Sequence, residues 1–179
     1  MKFFKENSYS IVKLILNQLA MTVFAILLTA LYRNPVLAIS GSIFSIAFYL
    51  FLSGTVVYEI GAKDSVRIEA GRAERMPLKG LFISLIAAIP NLILGIMIYV
   101  SSFFGGDTAK AFHGVVRVIA NFWESMYLEF LSKVIYPAFP NHIDFCYILI
   151  AIPAVIVCTL VYYFAQKGTL VFRSKKDAE

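Results

Sequence analysis

The residues best equipped for chemistry in this chain are few and scattered. It has two histidines, His113 and His142, with Asp107 and Asp144 as their nearest carboxylates. A metal site from these would need the fold to converge them, and histidines at a solvated interface are the simpler reading. Gly105-Gly106-Asp107 resembles a catalytic Gly–Asp pair only on the surface. It has no partner aspartate within a helix's reach, and a turn followed by an Asp at a helix start accounts for the same residues. Glu124 and Glu129 lie five apart, roughly 140° around a helix, so two carboxylates do not meet on one water or metal. There is no HExxH and no phosphate-cradling glycine loop. No catalytic, cofactor-binding or metal-ligating set is therefore assigned, and an enzyme is the least supported class.

The elements that would have to position these groups are dictated by composition. Of the 179 residues, 60% are hydrophobic and 15% charged. A soluble domain carries roughly 25% charged residues, so this chain is expected to take lipid as its solvent, as a single membrane domain. The net charge of +5 does not imply nucleic acid, because the basic residues form short caps between apolar runs. Cys146 and Cys158 fall in one apolar run roughly 18 Å apart at about 1.5 Å per residue, too far to bond each other.

Four runs are long enough to cross a hydrocarbon core of about 30 Å: about 13–32, 36–58, 80–101 and 145–166. In lipid the backbone must satisfy its own hydrogen bonds, so each is expected to be a helix. The first run, although it follows a basic head, is too long for a signal peptide and is read as a retained span. Asn34-Pro35 marks a tight turn between the first pair. Pro77 lies near the start of the third run, and Asp144 is a candidate N-cap of the fourth.

Between 108 and 136 the pattern changes. Lys110, Arg117, Asn121, Glu124, Glu129 and Lys133 share one half of a helical wheel with Gly114 and the serines, while Phe112, Ile119, Phe122, Trp123, Met126, Phe130 and Val134 share the other. Such a helix either lies in the membrane interface or crosses with its polar face turned inward. Charge favours the first. With four spans and both termini cytoplasmic, all but Arg33, Lys110, Arg117 and Lys133 of the 16 Lys and Arg residues fall inside, as the positive-inside bias requires. A fifth crossing would put the basic tail, 167–179, outside. The expectation is thus an all-α integral membrane protein: four transmembrane helices in an antiparallel bundle, one long extracytoplasmic amphipathic helix, and a cytoplasmic loop over 59–79. Its expected place is a cell membrane of prokaryotic type.

Two features inside the spans could carry function. Pro90 and Pro153 sit near the middle of the third and fourth runs in similar contexts, IPN and IPA. Each frees the carbonyl four residues back and bends its helix, and paired interruptions of this kind point to a midplane site. Asn91 beside the first proline needs a hydrogen-bond partner, and the stripe Gln18, Thr22, Ala25, Thr29 on the first span offers one. The same stripes serve as packing seams. No span carries an Asp, Glu, Lys or Arg at mid-depth, as proton- and ion-coupled transporters usually do, so packing is preferred. In the loop, Lys63, Asp64, Arg67, Arg72 and Arg75 form a candidate docking surface, with Asp64 as the cap of a short helix.

The preferred expectation is a non-catalytic subunit or interaction partner in a membrane complex, with lipid and a membrane protein or a second copy as its partners. The alternative is a small transporter or channel whose site lies near the Pro90 and Pro153 kinks, with Arg117, Asn121, Glu124 and Glu129 turned inward.

Overall fold

A computed structural model of the chain describes residues 2–29 and 34–168, and within them every regular element is a helix. Helix α1 spans Lys2–Thr29 and α2 spans Pro35–Glu69. Asn34 caps α2 by accepting the Leu37 N–H at 2.8 Å, with Pro35 in the first turn, so the Asn-Pro signal marks a helix start as its chemistry requires. α3 (Lys79–Ala87) and α4 (Ile89–Ser101) are two limbs of one apolar run, bent by 55° just before Pro90. α8 (Ile143–Leu149) and α9 (Ala151–Gln166) likewise meet at a break three residues before Pro153. α3 packs along α9 and α4 along α8, so the two breaks stand in register. Three helical stretches are long and apolar enough to cross a membrane, and the bent α3–α4 pair makes a fourth.

The bundle has two ends, each named here by an aspartate. The Asp64 end gathers the start of α1, the α2–α3 connection and the end of α9; Phe3 stacks edge-on against Phe82 there, and Gly168 approaches Ser65. The Asp144 end holds the α4–α5 turn and the start of α8. Both ends of the described chain therefore lie together.

Two expectations are corrected. First, 59–79 is a loop only over 70–78. α2 runs on to Glu69, about 52 Å for 35 residues, because no proline interrupts 59–69. It stops in a Schellman motif: Gly71 takes φ 68°, Gly71 N–H donates to Ile68 O and Arg72 N–H to Arg67 O. Asp64 is accordingly no cap but an interior helical residue, 8% exposed. Asp144 is no N-cap either; His142 holds that position and the Asp144 carboxylate turns to side chains of α5. The basic tail from 169 onward lies outside the described residues, as does Arg33.

Second, 108–136 is not one helix. α5 (Asp107–Trp123) ends at Glu124, and α6 (Ser125–Phe130) leads into a π turn (Leu131–Ile135) and the short α7 (Tyr136–Ala138). The two limbs form a hairpin. α5 descends from the Asp144 end, and α6 with the π turn climbs back beside α2 until Leu131 and Tyr136 again face Arg117 and Ile143. Val115, Val118, Ile119 and Phe122 on α5 are exposed, while Val116, Ala120 and Glu124 are buried. The polar stripe therefore turns fully inward only at its Glu124 end: His113, Arg117 and Asn121 are half-buried and Lys110 is exposed. A helix that shows Val, Ile and Phe along one side suits apolar surroundings.

Candidate functional site

The tip of the hairpin is where the sequence's separate polar features meet. Trp123 spans two walls. Its indole N–H donates to Asn91 Oδ1 at 2.6 Å on α4, and its carbonyl, freed by the end of α5, accepts from Thr22 Oγ1 at 2.6 Å and Gln18 Nε2 at 3.2 Å on α1. Ser125 Oγ donates to Thr22 O at 2.9 Å, and Ser42 on α2 donates to Met126 O at 2.6 Å. These bonds satisfy the backbone groups that a helix break leaves orphaned. The stripe on α1 thus does not pair with Asn91 directly; Trp123 stands between them. Ala38, Ser42 and Ser45 on α2 keep that wall thin.

Glu124, at the turn itself, is 1% exposed, and neither carboxyl oxygen has a hydrogen-bond partner. The Tyr127 hydroxyl and Gln18 Oε1 are buried without partners as well. Tyr49, beside Ser53 and Cys158, lies within the electrostatic reach of Glu124, as do Tyr127 and Tyr147. Moving a carboxylate into such surroundings costs several kcal/mol even after relaxation. The group therefore holds a proton or attracts a cation in this conformation. No span carries an acid at mid-depth, but Glu124, from a segment that is not itself a span, lies level with Thr22 and Asn91. In the sequence its only signal is membership of the polar stripe His113, Arg117, Asn121, Glu124.

The rest of that stripe points to the Asp144 end. His113 Nδ1 is 2.9 Å from Ser101 Oγ, and its Nε2 is 4.0 Å from Asp144. Arg117 pairs with Asp144 at 4.0 Å, and Asn121 accepts a short hydrogen bond from the Tyr147 hydroxyl. Glu129 is not part of this set; it pairs with Lys133 at 3.0 Å on the returning limb. Pro90 supplies the bend that presents Asn91, while Pro153 is exposed and borders an apolar recess of about 570 Å³ between α2, the hairpin, α8 and α9. The structure thus unites Asn91, Gln18, Thr22 and Glu124 and leaves Pro153 out.

At the Asp64 end a second polar cluster is fully paired. Asp64 accepts from Lys79 Nζ at 2.7 Å and from the Tyr162 hydroxyl at 2.9 Å; Gln166 donates to the Tyr162 oxygen at 3.1 Å. Arg67 stands 3.9 Å from Asp64. Lys63, Arg67, Arg72 and Arg75 are exposed.

Comparison with protein-family models, with curated proteins and with solved structures found no match. The class defined by the coordinates is an all-helical chain with three or four helices able to cross a membrane.

Proposed function

We propose that this chain is a small multi-span membrane transport protein that carries protons, with Glu124 as the group that binds them. The observation that carries the reading is the pair of partnerless carboxyl oxygens of Glu124, held level with the middle of α1 and of the α3–α4 run. Ionisable groups at such depth are costly and are usually functional. A proton suits the site better than a larger solute, because Glu124 borders neither the apolar recess nor the polar cavity along α5. In the membrane, α1, α2, α3–α4 and α8–α9 are the four spans. The Asp64 end, rich in Lys and Arg, is cytoplasmic by the positive-inside rule, and the hairpin enters and leaves on the opposite side.

The test is reconstitution in liposomes holding a pH-sensitive dye, with proton entry driven by a potassium diffusion potential. The protein is expected to acidify the liposome lumen, and Glu124→Gln to slow that at least tenfold. Liposomes with protein that behave like empty ones would refute the proposal.

A role as subunit of a larger complex is a second reading, and one observation favours it. α2 exceeds the roughly 30 Å hydrocarbon core by about 20 Å, and its projecting turns carry Lys63 and Arg67 next to Arg72 and Arg75. Mild-detergent purification followed by pull-down separates this from a free-standing carrier.

A further inference from the structure

The proposed site needs a route to water, and the two ends of the bundle differ in offering one. At the Asp144 end, His113, Arg117, Asn121 and Glu124 recur along α5 at spacings of four, four and three, one continuous stripe. Each of the first three has a polar partner on a neighbouring helix: Ser101, Asp144 and Tyr147 respectively. Beside them lies a cavity of about 280 Å³ bordered by Arg117, Asn121, Ser132, Tyr136 and Tyr147. A water molecule occupies about 30 Å³ in the liquid, so several fit. The cavity ends at Asn121 and Tyr147, one helical turn above Glu124.

The Asp64 end has a polar cavity of its own, about 370 Å³ bordered by Glu6, Asp64, Arg67, Lys79 and Tyr162, but the way inward from it is filled. A Cβ at Gly80 would lie 2.4 Å from Tyr162 Cβ, and one at Gly61 2.6 Å from Ala165 Cβ. The Tyr162 ring sits between, with its hydroxyl tied to Asp64.

We propose that Glu124 exchanges its proton with the Asp144 side alone, through water in the Arg117–Asn121–Tyr147 cavity, and that this structure is the state closed towards the Asp64 side. The inference rests on the proton-carrier reading and adds the direction of access to it. Because Glu124 does not itself border the cavity, one bridging water must enter the turn between Asn121 and Glu124: a hydronium in the cavity passes a proton to that water, which passes one on to the Glu124 carboxylate, and the return transfer reverses it. The charged groups along the route are His113, Arg117 and Asp144 near the mouth and the Glu129–Lys133 pair on the returning limb. Asp144 faces both His113 and Arg117 and offsets the positive charge of the guanidinium. Tyr127 and Tyr147 flank Glu124.

Access is read without any flux measurement. In a Cys146→Ser, Cys158→Ser background, single cysteines at Asn121, Ser132 and Ser53 are exposed to a charged, membrane-impermeant thiol reagent in sealed vesicles of either orientation. Asn121→Cys and Ser132→Cys should react from the Asp144 side only, and Ser53→Cys from neither side. Asn121→Cys protected from that side, or Ser53→Cys labelled from the Asp64 side, would overturn the proposal. Asn121→Leu then supplies a second arm. It should cut proton flux at least tenfold, while a lipid-soluble carbodiimide still modifies Glu124 as in the unaltered protein. Wild-type flux in Asn121→Leu would also overturn the route. Correct thiol labelling in a protein that moves no protons would instead leave the route standing and remove the function.

Discussion

The two ends of this bundle solve the same problem in opposite ways. Each sets an aspartate between helices, Asp64 buried and Asp144 partly exposed. Asp64 is held by bonds of 2.7 and 2.9 Å, in a contact where glycines bring α2 and α3 against α9. Asp144 faces His113 and Arg117 at 4.0 Å in each case. The contrast teaches that one aspartate acts as a structural clamp and the other as a loosely held counter-charge. Glu124, between them, has neither arrangement.

The contrast can be broken by substitution, and the largest effect belongs to the clamp. Asp64→Ala strands the Lys79 ammonium, whose side chain is 14% exposed, and should destabilise the protein by about 3–5 kcal/mol, the usual range for removing one partner of a buried ion pair. Denaturant unfolding in mild detergent reads this. Next comes Gly80→Val, which forces side-chain atoms into Tyr162. Overpacking of this kind costs about 1–3 kcal/mol, and the same unfolding assay should show it. The smallest effect falls at the other end. Asp144→Asn removes ion pairs that are long and partly solvated, so its cost should stay under about 1 kcal/mol. If Asp144→Asn proved as damaging as Asp64→Ala, the distinction between clamp and counter-charge would be lost. Glu124→Gln sharpens the comparison from the centre. It should leave stability unchanged or raise it, because an amide in place of an unpartnered acid removes a group whose charged form is penalised, while proton flux falls.

How far the sequence revealed this arrangement differs by element. The apolar runs of the spans were legible, and so was Asn34-Pro35, because solvent and cap chemistry act locally. The length of α2 was not. Glu59, Lys63, Asp64 and Arg67 look like a solvated loop, and only the distant partners Lys79 and Tyr162 show that Asp64 is tied into the bundle. The hairpin was half legible. Its polar and apolar faces stood out on the wheel, but periodicity says nothing about which face meets protein, and a strip of Val, Ile and Phe suits lipid as well as a core. The break at Glu124 carries no proline or glycine to announce it. What stabilises it is tertiary: Thr22, Gln18 and Ser42 supply hydrogen bonds that the segment lacks by itself. Trp123 was counted with the apolar half, and its bridging role rests on the indole N–H and a freed carbonyl.

The hairpin's dependence on distant partners has a consequence for biosynthesis. Its polar edge leans on Asp144 and Tyr147, and both leave the ribosome after the whole of α5 and α6. Until that last span is in place, Arg117 and Asn121 have no companions in lipid and the emerging segment is better off in water. Closure of the hairpin therefore follows the synthesis of α8.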